Sequence, residues 1–509
     1  MNRKTFLPLI VIVILTLGCA SAADIEIQPT QDAAIQVADS GQAANVVAEQ
    51  APETQASDPA PDQPAEPVSS TSASQTSDVQ NDSAALTYAI VDTAQGQCYG
   101  ENQAVDCPQE GSDYYGQDAQ YSGNQPNYVD NGDGTVTDLV TGLMWQQDPG
   151  GKVTYQQAVS GAETLTQGGY DDWRLPTIKE LYSLILFDGT DIGFNATQAI
   201  PFVDTDYFMF EYGNEYGGRV IDSQFFSSTE YVSDTMNGSF TVFGVNFADG
   251  RIKGYGQGGN HQQFVRYVRG NSEYGVNNYA DNGDGTVTDS ATGLTWMQSD
   301  SGSGMDWADA LSYCENLDLA GSSDWRLPDA KELQSIVDYT RSPDTTSSAA
   351  IDPLFSATSI TSETGQADYP WYWTSTTHAD ANGGGRSAAY ITFGEATGYM
   401  NRWIDVHGAG AQRSDPKSGD PANFPTGRGP QGDGIRINNY VRCVSGGDVT
   451  TDPDGIPETR TAVAVEASSG TTSQGSGPGG QPPTGGPPEG GPPEGGPPGG
   501  GPPGGQTPP

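Results

Sequence analysis

The stretch DNGDGTVTD occurs twice in the chain, at Asp130–Asp138 and, letter for letter, at Asp281–Asp289, so the second copy begins 151 residues later (281 against 130). Further blocks match in the same order: TGLMWQQ with TGLTWMQ, DDWRLPTIKEL with SDWRLPDAKEL, FFSSTEY with YWTSTTH, and FVRYVRG with YVRCVSG. Ordered self-similarity at a long period indicates repeated structural units. We therefore predict two homologous domains, at residues 125–272 and 276–447, each of ordinary single-domain size.

Each copy of the nonapeptide predicts a β-hairpin, because Asn-Gly and Asp-Gly supply the positive φ angles of a tight turn. A calcium loop is the lesser alternative. An EF-hand loop needs an oxygen ligand at its first position, and with Gly134 as the sixth residue that position falls on Val129. If calcium bound, its candidate ligands would be the repeated acids Asp130, Asp133, Asp138, Asp281, Asp284 and Asp289.

Two helices are predicted after each hairpin. Apolar residues at helical spacing mark the first helix: Tyr155, Ala158, Val159 and Ala162 in the first domain, and Trp307, Ala310, Leu311 and Cys314 after the cap Asp306 in the second. The pairs Thr177 with Glu180 and Asp329 with Glu332 have capping-box spacing and mark the second helix. Short strands fill the rest, so the order predicts an α+β fold.

The flanks differ in composition from the repeats. Residues 1–22 have the pattern of a secretory signal. Cleavage after Ala20-Ser21-Ala22 would release a soluble protein, whereas the alternative that we favour is a lipoprotein signal with lipidation of Cys19. Residues 23–89 are predicted to be a disordered acidic linker. Residues 448–509 are predicted to be a disordered Gly/Pro-rich tail, whose five-residue period excludes a collagen helix.

Charge and motif content exclude several function classes. The formal net charge of −44 argues against binding to nucleic acid or adsorption to anionic lipid, so membrane contact is expected only through a lipid anchor. The three histidines share no metal-ligand spacing, and no GxSxG, HExxH or P-loop pattern occurs. We therefore expect no catalytic residue and no cofactor, with calcium as the one open alternative.

The cysteines predict two disulfides in an exported protein. Cys98 and Cys107 enclose a short loop in a lead-in segment at residues 90–124. Cys314 and Cys443 are both absent from the first repeat, where Ala162 and Tyr267 stand instead. Joint absence is expected if the two cysteines are bonded to each other; two unrelated core positions are the alternative.

Aromatic and basic residues of the repeated motifs are interpreted as structural. Trp145, Trp296, Trp173 and Trp325 lie between apolar neighbours and favour a core role over sugar stacking. Arg174 and Arg326 are predicted to pair with an acid of their own domain, such as Asp172 or Asp324. Arg266 and Arg442 alternate with inward-facing valines, which also favours a structural role.

Basic residues concentrate around the longer second repeat, in and beside a Gly/Pro-rich insertion at residues 408–434. Because arginine binds sulfate and carboxylate groups in a bidentate manner, this loop is a candidate polyanion site. A solvated loop with no binding role is an equal alternative. The candidate residues are Arg402, Arg413, Lys417, Arg428 and Arg436.

The motifs DNGDGTVTD, TGLMW, DWRLP, KEL and VRCV, in this order, resemble the Lcl C-terminal domain family, which occurs in bacterial collagen-like adhesins. The resemblance implies two tandem domains related to the C-type-lectin and formylglycine-generating-enzyme folds, where a helix is joined to the last strand by a disulfide. It implies a non-catalytic binding protein at the cell envelope or surface, with polysaccharide as ligand. The alternatives are a structural envelope protein that binds another protein and, less favoured, an enzyme of the formylglycine-generating type.

Overall fold

The structure is a computed structural model that describes residues 86–192, 197–213, 219–452, 455 and 460–464. The signal, Cys19 and most of the predicted linker lie outside the described residues. Both repeats belong to one compact unit, Asn81–Pro509. In the described part of the chain, every helix is too short or too polar to span a membrane.

The described part of the fold is mostly β-sheet with short helices. The helices are Tyr155–Ala162 (α1), Ile178–Ser183 (α2), Trp307–Glu315 (α3), Ala330–Ser335 (α4) and Pro343–Thr346 (α5), with 3-10 turns at Asp118–Gln120, Gln167–Gly169 and Pro421–Asn423. The strands of the first half are Tyr121–Ser122 (β1), Tyr128–Asp130 (β2), Thr135–Asp138 (β3), Leu143–Gln146 (β4), Gln198–Ala199 (β5), Gln224–Thr235 (β6), Ser239–Asn246 (β7), Arg251–Gly256 (β8) and Val268–Gly270 (β9). Those of the second half are Tyr279–Asp281 (β10), Thr286–Asp289 (β11), Leu294–Met297 (β12), Ile360–Thr361 (β13), Ala367–Asp368 (β14), Trp371–His378 (β15), Ser387–Thr392 (β16), Thr397–Tyr399 (β17), Trp403–Asp405 (β18), Gln412–Pro416 (β19), Val444–Gly446 (β20), Thr450–Thr451 (β21) and Val463–Ala464 (β22).

The repeated nonapeptide forms the predicted hairpin in both copies. Strands β2 and β3 pair from Tyr128 opposite Asp138, and the turn places Gly132 and Gly134 at φ +73° and +84°. The hairpin continues into an antiparallel sheet of order β2-β3-β4-β9, and the second repeat has the equivalent sheet β10-β11-β12-β20. The last strand of each repeat therefore closes on its first strands.

A six-stranded antiparallel sheet joins the two repeats. Its order is β15-β16-β19-β8-β7-β6, so that three strands come from each repeat. The strands meet where Gln412 of β19 pairs with Ile252 of β8. The insertion at residues 408–434, predicted as a surface loop, thus supplies a central strand. The prediction was wrong because this strand carries polar residues on both faces and lacks the alternation of apolar side chains that marks a half-buried strand.

Helices cover both faces of the shared sheet. Helix α1 packs with Phe226 and Val242, and α3 packs with Trp373 and Tyr390. Helices α2 and α4 pack on the opposite face, against the other set of alternating strand residues. The caps are as predicted: Asp306 caps α3, and both capping boxes are formed. Val159 is 47% exposed, so its predicted place on the buried stripe was wrong.

The motif DWRLPxxKEL connects the repeats reciprocally. Lys179 Nζ donates to the carbonyl of Ser335 at 2.6 Å, and Lys331 Nζ donates to the carbonyl of Ser183 at 2.9 Å. Each lysine thus binds the end of the other repeat's second helix. Burial lowers the pKa of both lysines to about 8.

The motif arginine forms an ion pair inside its own repeat, as predicted, but with a different acid. Arg174 pairs with Glu180 at 2.6 Å and Arg326 with Glu332 at 2.5 Å. Asp172 instead pairs with Arg269. The four motif tryptophans are buried, which confirms their core role: Trp145, Trp173, Trp296 and Trp325.

Both predicted disulfides are present. Cys98 is bonded to Cys107 in the lead-in segment, with a Cα–Cα distance of 5.1 Å. Cys314 on α3 is bonded to Cys443 just before β20, at 5.5 Å. The second bond fastens the first helix of the second repeat to its last strand.

The structured core extends beyond the predicted boundaries at both ends. Tyr88, assigned from sequence to the disordered linker, is 4% exposed and packs in the main core. Past residue 448, where a disordered tail was predicted, β21 pairs with β1 and β22 pairs with β5. These short segments carry too little apolar periodicity to be recognised as strands from sequence.

Candidate functional site

A buried arginine near the end of each repeat holds two loops together. Arg266 donates from Nη1 to the carbonyls of Gln146 and Gln147, at 2.7 and 2.6 Å, and from Nη2 to the carbonyl of Met209 at 2.8 Å. Its structural role is therefore confirmed.

The second repeat repeats these contacts. Arg442 donates to the carbonyls of Met297, Gln298 and Ser356, at 2.7, 2.7 and 2.8 Å. Met209 and Ser356 are thus equivalent positions, and the segments 205–211 and 352–358 are equivalent loops.

Aromatic rings surround both arginines in the same arrangement. The Arg266 guanidinium carbon lies 4.9 Å from the ring centre of Phe208 and 5.5 Å from that of Phe225. The Arg442 carbon lies 5.1 Å from Phe355 and 5.6 Å from Tyr372. Phe225 and Tyr372 are therefore counterparts, and they differ by one hydroxyl group.

In the first repeat this arrangement opens into a cleft of about 450 Å³. Phe208, Phe225 and Phe264 contribute aromatic lining, and Asp148 and Glu211 contribute exposed carboxylates. Burial lowers the pKa of Arg266 to about 9, and the negative charge of Asp148 acts in the opposite direction. The cleft combines an apolar lining with acceptors for hydrogen bonds, as small-molecule sites commonly do.

In the second repeat the corresponding carboxylate is hydrogen-bonded to the protein's own side chains. Asp300 is the counterpart of Asp148, because its Oδ1 accepts a hydrogen bond from Gly302 as that of Asp148 does from Gly150, both at 2.9 Å. Asp300 Oδ2 also accepts from the Tyr372 hydroxyl at 2.6 Å, and its Oδ1 accepts from the Thr358 hydroxyl at 2.6 Å.

These hydrogen bonds stabilise the charged form of Asp300. Burial acts to raise its pKa, but the bonds from Thr358 and Tyr372 outweigh it and hold the pKa below its ordinary value. The carboxylate of the second repeat is therefore occupied by two hydroxyl groups of the same chain.

The first repeat lacks both hydroxyl donors. Phe225 stands where Tyr372 stands, and Glu211 stands where Thr358 stands, two residues past the loop carbonyl in each repeat. Asp148 is consequently exposed at the cleft. This site was not predicted from the sequence, although a residue-by-residue comparison of TDYFMFE (205–211) with DPLFSAT (352–358) shows the exchange of Thr358 for Glu211.

The C-terminal segment contributes to one wall of the cleft. Val463 lines it, and its strand β22 pairs with β5 of the first repeat. Arg460 forms an ion pair with Asp188 and donates to the carbonyl of Val203 at 2.5 Å. Chain from beyond the second repeat is thus fastened beside the site of the first.

The candidate calcium ligands serve the hairpin turns. Asp130 Oδ1 accepts from the Gly132 amide, and Asp133 Oδ1 accepts from the amide and the hydroxyl of Thr135. Asp281 and Asp284 make the same bonds in the second repeat, and Asp138 and Asp289 accept from backbone amides of the next turn. No group of three or more metal-ligating side chains occurs among the described residues.

Two of the five candidate polyanion-binding residues, Arg413 and Lys417, are buried, which contradicts their proposed role. Arg413 pairs with Asp433, and burial lowers its pKa to about 10. Lys417 is 1% exposed, with its Nζ 3.9 Å from the ring centre of Trp307.

Arg436 pairs with Glu363 at 2.9 Å. Arg402 and Arg428 are exposed, the first bonded to Asn237 and the second lying 5.8 Å from the Phe424 ring. The cations were misassigned because sequence position alone does not show which of them the shared sheet buries.

Together the fold and the cleft define a class of protein: a β-rich module of two repeats that share a six-stranded sheet, with an open cleft in the first repeat. The Lcl C-terminal domain model matches residues 134–269 and 285–407, together half of the chain. The protein therefore belongs to the Lcl C-terminal domain family, with two copies in tandem. Neither a curated protein nor a solved structure gives a match.

Proposed function

We propose that the protein is a non-catalytic, polysaccharide-binding protein of the cell envelope or surface, and that the cleft of the first repeat is its binding site. The observation that carries the proposal is the difference between the repeats: the carboxylate of the first is exposed at a cleft, whereas that of the second is bonded to Tyr372 and Thr358. Carboxylates accept hydrogen bonds from hydroxyl groups, and Met209 and Phe210 add partly exposed apolar surface to the cleft.

The test is binding of a panel of neutral, amino-bearing and sulfated oligosaccharides by calorimetry. The double variant Asp148→Asn/Glu211→Gln is expected to reduce binding at least tenfold, because each carboxylate loses acceptor capacity. Its matched control is Glu163→Gln/Asp171→Asn, which removes two exposed carboxylates of the same repeat outside the cleft. If both double variants bind as well as the parent does, the cleft is not the binding site.

Export and anchoring are part of the proposal. The two disulfides are compatible with an oxidising compartment, and the sequence favours a lipid on Cys19. Cys19→Ala is expected to move the protein from the membrane fraction to the soluble fraction. Unchanged fractionation, or a mature N-terminus at Ala23, would rule out the lipid anchor.

An envelope protein as partner is the competing proposal. Capture from an envelope extract that survives removal of glycans, and that is lost in Asp148→Asn/Glu211→Gln, would favour a protein ligand at the same cleft. Capture that requires glycans would favour polysaccharide.

A further inference from the structure

From the hydrogen-bonded carboxylate of the second repeat we infer what the open cleft of the first repeat binds: a neutral sugar unit that donates two neighbouring hydroxyl groups to the carboxylate of Asp148. The inference rests on the proposed function and deepens it. It names the chemical class of the ligand and the side chain that holds it.

The second repeat shows the chemistry that this pocket accommodates. One carboxylate, Asp300, receives two hydroxyl groups, one on each oxygen and both at 2.6 Å. One hydroxyl is carried by an aromatic ring and the other by a short aliphatic side chain. The geometry is that of a carboxylate that binds a pair of hydroxyl donors.

The first repeat retains the carboxylate and the rings but not the donors. Asp148 lies in the same kind of turn as Asp300, because each accepts a hydrogen bond at 2.9 Å from the amide of the glycine two residues later. Phe225 and Glu211 replace the two residues that carry the hydroxyl groups. Adjacent hydroxyl groups of a sugar ring supply two donors from one rigid unit, and the exposed Met209 and half-buried Phe210 supply apolar surface at the cleft.

Charge at the cleft selects against acidic sugars. Glu211 places a second carboxylate beside Asp148 where the second repeat has an uncharged threonine. The positive charge of Arg266 is directed elsewhere, because its Nη1 and Nη2 donate to three backbone carbonyls. A sulfate or uronic acid group would therefore be repelled by two carboxylates at the cleft, so the ligand is a neutral sugar.

The experiment introduces the two hydroxyl-bearing side chains of the second repeat at the equivalent positions of the first repeat. In Phe225→Tyr/Glu211→Thr, the new hydroxyl groups are expected to bond to Asp148 as their counterparts bond to Asp300. Binding of neutral oligosaccharides should fall at least 50-fold while the melting temperature is unchanged or higher. The matched control is Glu163→Gln/Asp171→Asn, which should bind as the parent does.

A second variant keeps the test decisive if the buried position 225 does not tolerate the hydroxyl group. Asp148→Asn changes an exposed side chain and leaves one acceptor oxygen in place of two, so affinity for neutral oligosaccharides should fall about tenfold. Parent-like affinity in this variant would overturn the inference.

The probes separate failure of the inference from failure of the proposed function. If sulfated or amino-bearing oligosaccharides bind through the cleft and neutral ones do not, the sugar class is wrong and the proposed function stands. If no oligosaccharide of any charge binds the parent protein, the inferred sugar class and the proposed function are both wrong.

Discussion

At the residue scale, several aspartate side chains lie buried in the core, where burial raises their pKa values. Asp405 accepts hydrogen bonds from the amides of His407 and Gly408 and from the Tyr231 hydroxyl. Burial nevertheless raises its pKa to about 7, and burial likewise raises that of Asp118 to about 7 and that of Asp415 to about 6. The shared core therefore contains carboxyl groups that favour the protonated form.

These groups predict a stability that falls as pH rises. In the folded state Asp405 holds its proton up to about pH 7, whereas in the unfolded state it loses the proton near pH 4. Between these values the folded state binds more protons, so the free energy of unfolding decreases with increasing pH. Thermal unfolding is expected at a higher temperature at pH 5 than at pH 8.

Replacing the acid tests this dependence. Asp405→Asn should be close to neutral at pH 5 and should stabilise the protein by about 2–4 kcal/mol at pH 8, because the amide does not ionise. Asp318→Asn, at an exposed site, is the control and should leave the pH profile unchanged. If Asp405→Asn unfolds with the same pH dependence as the parent, Asp405 does not contribute to the pH dependence of stability.

At the element scale, local sequence patterns were sufficient for some elements and not for others. The hairpins, the helix caps and the Cys314–Cys443 bond could be predicted because each depends on residues whose spacing or joint absence is visible in the repeat. Strand β19 could not, since Gln412, Arg413, Ser414 and Asp415 show no apolar alternation. The cleft could not either, because it depends on two exchanges, Phe225 for Tyr372 and Glu211 for Thr358, whose positions meet Asp148 only in the fold.

The two disulfides are predicted to differ in their contribution to stability. Cys314–Cys443 spans 129 residues and Cys98–Cys107 spans 9. On the chain-entropy model, closing these loops contributes about 5 and about 3 kcal/mol, respectively. Cys314→Ser/Cys443→Ser should therefore lower the melting temperature more than Cys98→Ser/Cys107→Ser does. The reverse order, measured by calorimetry under non-reducing conditions, would contradict the entropic explanation.

At the scale of the whole molecule, the repeats are one structural unit. They share a six-stranded sheet, they exchange lysine contacts through Lys179 and Lys331, and the lead-in residue Gln95 bonds to the carbonyls of Phe187 and Thr377. The carboxylate of the first repeat is exposed at a cleft and that of the second is bonded within the protein, so we expect the second repeat to act as a structural partner of the first. On the proposed function, the two repeats therefore form one core that carries one binding site.

Unfolding should accordingly be a single cooperative transition, with equal calorimetric and van't Hoff enthalpies. Lys331→Met should lower the free energy of unfolding of the whole protein by about 2–4 kcal/mol, because it leaves the carbonyls of Asp92 and Ser183 buried without their donor. Two separate transitions in the parent, with only one affected by the substitution, would show that the repeats fold independently.

The stoichiometry and location of ligand binding test the asymmetry of the repeats most directly. Titration calorimetry of the intact protein with a neutral oligosaccharide measures the number of sites per chain. Hydrogen exchange of the complex shows which residues the ligand protects. We expect one site per chain, with protection confined to residues 148–150 and 205–211. Two sites per chain, or protection of residues 299–302 and 352–358 instead, would contradict the assignment of the first repeat as the binding repeat.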